Sequence, residues 1–245
     1  MSKLCIYQIF YDLATKQMLD TGFIPLDNSK NERPDWFEFW VIRNFLRNNA
    51  LEEHAWYGFL SPNFQDKTGF DSDYVISFLR HYDSVGDVAL FSSAWDQLAY
   101  FKNPWEQGEA WHPNIRELTQ KFLDSTNRRI DLSALVTDST SSVFSNYVIA
   151  KKKFWIEWKK IADDFFEFVE SAGEYARDTT YGFSKTEYPM KTFIQERFAT
   201  LILATKQFKV LTVDQSAVTP IFTPLFPDNG QTRRLLQVCD LLKRK

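Results

Sequence analysis

Acidic and aromatic residues with one histidine are concentrated in residues 95–113. Asp96 and Glu106 provide carboxylates, and Trp111 and His112 stand just before a proline, which favours an extended or turn conformation. Carboxylates and imidazole are groups that commonly transfer protons in enzymes. We expect this stretch to take part in acid/base chemistry or hydroxyl recognition, unless Glu106 and His112 are partly exposed loop residues without such a role.

Glu196 is a different kind of candidate, because it lies in a largely apolar segment, residues 190–205, that is predicted as one continuous helix. A carboxylate near the apolar face of a helix needs a partner. Arg197 is a poor one, since adjacent helical side chains point about 100° apart and do not face each other. Together with Asp96 and Glu106, Glu196 completes the set of candidate catalytic carboxylates, one of which would act as a general base.

Polar residues follow directly after the most apolar strand pattern of the chain. Residues 55–60 are predicted as a buried central strand, and Ser61 and Asn63 stand in the loop after it. Ligands of α/β sheets bind where strands end, so both residues are expected at the rim of a site. Asp71 and Asp73 form an Asp-x-Asp pattern that could bind a divalent metal, but their position before a helix favours N-terminal capping.

Strand and helix patterns alternate along the chain, which predicts an α/β sheet covered by helices on both faces. Asp35, followed by Glu38 three residues later, suggests an acidic variant of the capping box at the start of the first long helix. The lysines at 151–153 suggest a solvated edge or a contact with a diphosphate. Strands are predicted at 4–11, 55–60, 87–92 and 143–150, and helices at 35–48, 71–81, 114–123, 154–170 and 190–205.

Composition excludes several classes of protein. The 245 residues carry a net charge of −3, which gives no general attraction to nucleic acid or to anionic membranes. Aromatic residues make up 17% of the chain, which suits a large core and also sugar-stacking surfaces. Cys5 and Cys239 lack metal-ligand spacing, no signal peptide is recognisable at the N-terminus, and no window is apolar enough to span a membrane. The expectation is a soluble, cytoplasmic protein.

The last 33 residues differ from the rest, so the chain is divided into a body, residues 1–212, and an extension, residues 213–245. Three prolines at positions 220, 224 and 227 favour an extended strap over the surface. The basic helix predicted after it, Thr232 to Lys245, could pack on the body, on another subunit, or peripherally on the inner membrane where a lipid-linked acceptor is held.

Three segments together resemble bacterial GT-A-like glycosyltransferase domains of capsule and O-antigen polysaccharide biosynthesis. The resemblance covers residues 4–214 and rests on short motifs. They are the Tyr-Gly of the central strand at 57–58, the run Ser-Asn-Tyr-Val-Ile-Ala-Lys-Lys-Lys-Phe-Trp at 145–155, and Glu-Arg-Phe at 196–198. The implied fold is a Rossmann-like mixed sheet flanked by helices that binds a nucleotide-diphosphate sugar.

The resemblance also implies roles for individual residues. This chain has Ser61-Pro62-Asn63 where the family places its metal motif, so dependence on Mn²⁺ or Mg²⁺ stays open. By the resemblance, Tyr7, Gln8 and Tyr11 line the nucleotide pocket, Ser61 and Asn63 hold the metal-motif position, and Asn146 and Glu196 face the sugar or acceptor; His112, Trp111 and Arg197 are further substrate-binding candidates.

The predicted function is therefore transfer of a sugar from a nucleotide-activated donor to a surface-polysaccharide or lipid-linked glycan acceptor. One alternative is a non-catalytic carbohydrate-binding or scaffold domain of a polysaccharide-assembly system, which would need aromatic loops but no acid. Another is a hydrolase with paired carboxylates, for example Glu106 and Glu109, at a separation that suits one of the two glycosidase geometries.

Overall fold

The computed structural model describes residues 1–92, 94–172, 179–181, 187–214, 216 and 220–244. It is an α/β fold with an open, mixed six-stranded sheet in the order β2-β1-β3-β5-β4-β8. Neighbouring strands are parallel except where β5 pairs with β3 and with β4. The strands are β1 Leu4–Phe10, β2 Ile24–Asp27, β3 Trp56–Leu60, β4 Val88–Leu90, β5 Val148–Lys151 and β8 Val210–Thr212, with β6 Thr179–Tyr181 and β7 Glu187–Pro189 forming a separate antiparallel pair.

Helices cover both faces of this sheet. One face packs against α2, α7, α8, α9 and α10 through a large apolar cluster that includes Phe39, Trp155, Trp158, Phe165 and Phe198. The other face packs against α3 and α4 through a smaller cluster with Phe64, Val75 and Leu79. The helices are α1 Leu13–Gln17, α2 Phe37–Asn48, α3 Phe64–Thr68, α4 Ser72–Tyr82, α5 Trp95–Tyr100, α6 Pro104–Glu109, α7 Ile115–Ser125, α8 Lys152–Ala172, α9 Met190–Gln195, α10 Phe198–Thr205 and α11 Gly230–Lys243, with a 3-10 turn at Pro34–Trp36.

The centre of the sheet is tightly packed where β3 meets β5. A Cβ on Gly58 would lie 2.8 Å from Cγ1 of Ile149, so a larger residue would require Ile149 to shift. On the helix-rich face, Trp155 of α8 donates its indole N–H to the carbonyl oxygens of Tyr57 and Ala150, at 3.0 and 3.1 Å. These contacts fix β3 and β5 side by side, and with them the loops at their ends.

The topology defines one edge of the sheet, the one formed by the carboxyl ends of β1 and β3, as the place where ligands would bind. After β1 the chain crosses to β2 on one side, whereas β3 lies on the other side of β1 and leads on towards β4. Such a change of direction opens a crevice at the carboxyl ends of the two strands. Because β5 runs antiparallel to β3, the residues that precede β5 reach the same edge.

Several sequence-based boundaries need correction. The helix predicted over 190–205 is two helices, α9 and α10, with the break at Glu196 and Arg197. The capping box of Asp35 and Glu38 is wrong: Asp35 lies in the 3-10 turn and pairs with Arg33 and Lys191, and α2 has no side-chain cap. The strand predicted over 143–150 forms β5 only from Val148 onwards, because the chain before it is irregular.

The C-terminal extension packs on the body through α11. Leu236 is buried against Trp95 and Ala99 of α5, and Asp240 accepts hydrogen bonds from the backbone N–H and hydroxyl of Ser139, both at 2.8 Å. Within the described part of the chain, no helix is long and apolar enough to cross a membrane.

Candidate functional site

Two hydroxyl side chains meet at the crevice edge of the sheet. Ser61 follows β3 directly, and Tyr147 directly precedes β5. Their hydroxyl oxygens are 2.7 Å apart, and both residues are buried. The antiparallel pairing of β3 and β5 is therefore what brings these two sequence-distant hydroxyls together.

Glu38 reaches the same edge from the first turn of α2. It accepts a hydrogen bond of 2.9 Å from the hydroxyl of Tyr11, which follows β1. Burial raises the pKa of Glu38 above its ordinary value, and the hydrogen bond from Tyr11 only partly offsets this effect. The pKa of Tyr11 is also raised, by burial first and then by the charge of Glu38, so Tyr11 stays a hydrogen-bond donor at neutral pH.

Glu196 lies at the break between α9 and α10 and is half-buried. Burial raises its pKa to about 7; the positive charges of Arg197 and Lys67 act against this rise, and the negative charge of Glu38 adds to it. Glu38 is thus close enough to act on Glu196 through its charge. A carboxylate that titrates near neutral pH suits a general acid or base.

Arg197 is held by three protein acceptors. Its guanidinium donates to the carbonyl oxygens of Pro104 at 2.9 Å and Phe193 at 2.6 Å, and to Oε1 of Gln107 at 2.9 Å. Burial lowers the pKa of Arg197 to about 10, so it remains a cation at neutral pH. Because its donors bind protein oxygens, Arg197 affects Glu196 by its positive charge and by holding the break between α9 and α10 in place.

Lys67 places a positive charge at the mouth of the crevice. It is exposed on α3, and its Nζ lies 5.9 Å from the centre of the Tyr147 ring. Its charge lowers the pKa values of both Glu38 and Glu196. Asn63, one of the predicted rim residues, is also exposed here, directly before α3.

Asn146 is buried just before β5, in an unusual backbone conformation. Ser145 and Asn146 both have positive φ values, 59° and 56°. Asn146 donates from Nδ2 to Oε1 of Gln195 at 2.9 Å, while its Oδ1 is buried with no hydrogen-bond partner among the described residues. Since Gln195 precedes Glu196, this hydrogen bond ties the loop before β5 to the helix break.

Tyr7 is partly buried and packs against the core, and Gln8 is buried. The Tyr7 ring packs against Phe45 and Phe59, with centroid distances of 4.8 and 5.6 Å. Gln8 donates from Nε2 to the carbonyl oxygen of Ser61 at 3.2 Å and accepts from the backbone N–H of Asp20 at 2.8 Å. Gln8 therefore links the loop after β3, at Ser61, to the segment at Asp20. Neither Tyr7 nor Gln8 is placed in the proposed site.

Asp96 and Glu106 bind backbone groups elsewhere in the fold. Asp96 is fully buried on α5 and accepts from the backbone N–H groups of Phe222 and Thr223, at 3.1 and 2.7 Å. Glu106 is exposed in the first turn of α6 and accepts from the backbone N–H of Lys102 at 2.6 Å. These contacts make Asp96 the anchor of the C-terminal strap and Glu106 a local helix-start residue.

His112 is buried and stacks on Phe193, with 3.6 Å between ring centroids. Burial, and secondarily the charge of Arg197, lowers the pKa of His112 to about 4, so the ring is neutral near pH 7. Trp111 beside it is partly exposed. His112 thus packs behind the helix break at Glu196 and Arg197, which makes it a supporting residue.

The lysine run and the Asp-x-Asp pattern have structural roles. Lys151 donates to the carbonyl oxygen of Asp83 at 2.9 Å, and Lys152 pairs with Glu53 at 3.0 Å. Asp71 caps α4 by accepting from the backbone N–H of Tyr74 at 2.9 Å, which confirms the capping prediction.

Glu38, Lys67 and Tyr147 are the site residues that sequence reasoning missed. Glu38 lies three residues after Asp35 and resembled a capping partner, and Lys67 stands in a polar segment without a distinctive pattern. Tyr147 lies in an apolar run that predicted a strand interior. A usable signal was proximity to strand ends, since Tyr147 directly precedes β5.

Among the residues that the structure describes, no group of three or more His, Cys, Asp or Glu side chains is arranged to hold a metal ion. Comparison with protein-family models, with curated proteins and with solved structures finds no match to this chain.

Proposed function

We propose that this protein is a glycosyltransferase that moves a sugar from a nucleotide-activated donor to a hydroxyl of a surface-polysaccharide acceptor. The observation that supports this most directly is Glu196, a half-buried carboxylate with a pKa raised to about 7 at the crevice edge of the sheet. A general base for an alcohol needs a pKa near the working pH, and few carboxylates meet that condition.

In the proposed reaction, Glu196 accepts the proton of the acceptor hydroxyl while the oxygen attacks the anomeric carbon of the donor sugar. The bond between that carbon and the diphosphate oxygen breaks, and the electron pair leaves with the nucleoside diphosphate. Lys67, exposed at the mouth of the crevice, is the cation placed to offset the growing negative charge of the leaving group. One displacement of this kind inverts the anomeric centre.

Glu38 and its hydrogen-bonded Tyr11 support Glu196 in this scheme. The negative charge of Glu38 raises the pKa of Glu196, which makes Glu196 a stronger base once it is deprotonated. The pair formed by Ser61 and Tyr147 adds hydroxyl groups that can orient a sugar. A GT-A-like nucleotide-sugar domain is the finer fold assignment that we propose for the mixed sheet.

A thermal-shift screen tests the donor half of the proposal. Nucleoside diphosphates and nucleotide sugars are added to the full chain with and without Mn²⁺, and Lys67→Met is run beside the wild-type protein. We expect stabilisation by at least one nucleotide, reduced in Lys67→Met. The absence of any shift across the panel, with and without metal, would contradict the proposal.

Glycoside hydrolysis is a second candidate, because the pKa values of two carboxylates at this crevice, Glu38 and Glu196, are both raised and the charge of Glu38 acts on Glu196. It predicts cleavage of unactivated glycans in the absence of any nucleotide. Release of reducing sugar from such glycans, lost in both Glu38→Gln and Glu196→Gln, would favour hydrolysis over transfer.

A further inference from the structure

We propose that the cleft between α2 and the segment after edge strand β2 binds a neutral glycan through asparagine amides and a tryptophan ring. The cleft has a volume of about 420 Å³, within the range of about 300–1,000 Å³ that small-ligand sites occupy. Five asparagines and one tryptophan are among its lining residues: Asn28, Asn31, Trp40, Asn44, Asn48 and Asn49. The inference goes beyond the proposed reaction, because the described residues that line this cleft do not include Glu38, Lys67 or Glu196.

One wall of the cleft is a row of side chains on α2. Trp40, Asn44 and Asn48 are four residues apart, so they follow one another along one face of the helix, about 6 Å apart along its axis. This spacing is comparable to the length of a sugar ring. The row can therefore contact consecutive rings of a glycan chain.

Trp40 gives this wall an aromatic surface. It is partly exposed, and its ring packs against Phe166 with 5.6 Å between the ring centroids, which holds the indole in place. The guanidinium of Arg33 lies 5.6 Å from the centre of the same ring. An indole combines an apolar ring with an N–H donor, so Trp40 can contact the C–H groups of a sugar and donate to a hydroxyl.

Three of the five amides are available to a ligand. Nδ2 of Asn49 donates to the carbonyl oxygen of Phe45 at 3.0 Å, and Nδ2 of Asn28 is buried. The amides of the other three asparagines form no hydrogen bond with another described residue. Asn31 and Asn44 are partly exposed and Asn48 is exposed, so each keeps two N–H donors and a carbonyl acceptor for sugar hydroxyls.

The second wall is the segment that joins β2 to the 3-10 turn, residues 28–33. The backbone N–H of Asn28 donates to the carbonyl oxygen of Phe10 at 2.9 Å, which attaches the segment to the sheet. The backbone N–H of Asn31 donates to the carbonyl oxygen of Asn28 at 3.0 Å and closes a tight turn, in which Asn31 has a positive φ of 39°. These backbone hydrogen bonds hold Asn31 at the cleft.

The charges of the cleft favour a neutral ligand. Its charged lining residues are two acids, Asp27 and Glu32, and one lysine, Lys30, so negative charge exceeds positive by one. An anionic ligand such as a nucleotide or a uronic acid would meet like charge. The amides, in contrast, can donate to and accept from uncharged hydroxyls.

An extended peptide is the competing ligand, because β2 lies at the edge of the sheet. β2 has only four residues, Ile24–Asp27, and the second is Pro25, which has no backbone N–H to donate. Short edge strands that contain proline resist pairing with a further strand. The cleft therefore fits a glycan better than an added peptide strand.

Saturation-transfer NMR on the full chain tests this inference without relying on turnover. The probes are neutral trisaccharides of α-1,4-linked glucose, β-1,4-linked glucose, mannose, galactose and N-acetylglucosamine. Trigalacturonate is the anionic counterpart, and a capped, uncharged threonine–valine hexapeptide is the peptide counterpart. We expect binding of at least one neutral trisaccharide and much weaker binding of trigalacturonate and of the peptide.

Two substitutions on α2 locate the bound glycan. Asn44→Ala and Asn48→Ala each remove one amide, and both should fold, because alanine has a higher helix propensity than asparagine. Gln231→Ala makes the matched change at an exposed helical amide on α11. We expect trisaccharide binding to weaken by about three- to tenfold in each of the two α2 variants and to stay unchanged in Gln231→Ala.

Unchanged trisaccharide binding in both Asn44→Ala and Asn48→Ala would overturn the inference. So would the absence of binding of every neutral trisaccharide, equal binding of trigalacturonate, or binding of the peptide alone.

Glu196→Gln separates this cleft from the proposed catalytic crevice. We expect it to bind the trisaccharide as wild type does, and weaker binding in Glu196→Gln but not in the two α2 variants would place the glycan in the crevice and refute the cleft. Trisaccharide binding at the cleft without any nucleotide shift would refute the nucleotide-donor proposal alone. A nucleotide shift without trisaccharide binding would refute the cleft alone.

Discussion

Glu38 and Glu196 are 158 positions apart in the chain, yet the charge of Glu38 raises the pKa of Glu196. α2 brings Glu38 to the end of β1, and the break between α9 and α10 brings Glu196 to the same edge of the sheet. The positive charge of Lys67 lowers the pKa of both carboxylates. The pH behaviour of the protein should therefore depend on these three charges together.

The first prediction concerns the pH dependence of turnover. A base must be deprotonated, so the rate should rise with pH through about 7, the pKa of Glu196. Glu38→Gln removes a negative charge and should move this rise to lower pH, whereas Lys67→Met removes a positive charge and should move it to higher pH. Rate profiles from pH 5 to 9 measure both shifts, and shifts of the same sign in the two variants would contradict the electrostatic account.

The second prediction concerns stability. Folding raises the pKa of Glu196 from its ordinary value near 4.5 to about 7, so ionisation of Glu196 opposes folding as pH rises across that interval. Glu196→Gln carries no charge and should melt at a higher temperature than wild type at pH 8, with a smaller difference at pH 5. Melting curves at both pH values check this, and a lower melting temperature of the variant at pH 8 only would reverse the assigned sign.

The third prediction separates Asp96 from the site. Its carboxylate accepts two backbone N–H groups of the strap, so Asp96→Ala, which leaves both groups without their acceptor, should lower the free energy of unfolding by about 1–3 kcal/mol. The strap should also become more sensitive to proteolysis near residues 220–228. Denaturant unfolding measures the loss, and unchanged stability with lost turnover would instead place Asp96 in the chemistry.

The fourth prediction concerns the Asp-x-Asp pattern. Asp71 accepts from the backbone N–H of Tyr74, so Asp71→Ala should cost about 0.5–2 kcal/mol of stability. Asp73 lies in the first turn without the capping contact, so Asp73→Asn should cost less. Both variants should keep their turnover, and metal-dependent loss of activity in Asp73→Asn with an intact fold would point to a metal site.

The alternation of strands and helices, the capping of α4 by Asp71 and the position of Ser61 after β3 could all be predicted from the sequence, because each depends on local pattern. The capping box at Asp35 failed because a long-range contact prevailed: Lys191, from α9, pairs with Asp35 at 2.6 Å. No local pattern in the sequence predicts that ion pair.

The helix break at Glu196 and Arg197 could likewise not be predicted from the sequence. Helical propensity continues through residues 190–205, but the guanidinium of Arg197 binds the carbonyl of Pro104 and the side chain of Gln107, which belong to a distant segment. Tyr7 and Tyr11 share one strand pattern, yet Tyr7 packs under α2 with Phe45 while Tyr11 reaches Glu38 beyond the strand end. Only tertiary packing decides which tyrosine meets the crevice.

The sugar-transfer rate of Glu196→Gln at pH 8 tests the central proposal most directly. The donor is the nucleotide sugar that most stabilises the wild-type protein. Glu117→Gln serves as the control, because Glu117 is exposed on α7 and pairs with Lys121 on the same helix. We expect the Glu196→Gln rate to fall by about 10²–10⁴-fold with nucleotide binding retained, and the Glu117→Gln rate to equal that of wild type. A Glu196→Gln rate within a few-fold of wild type would show that Glu196 is not the base.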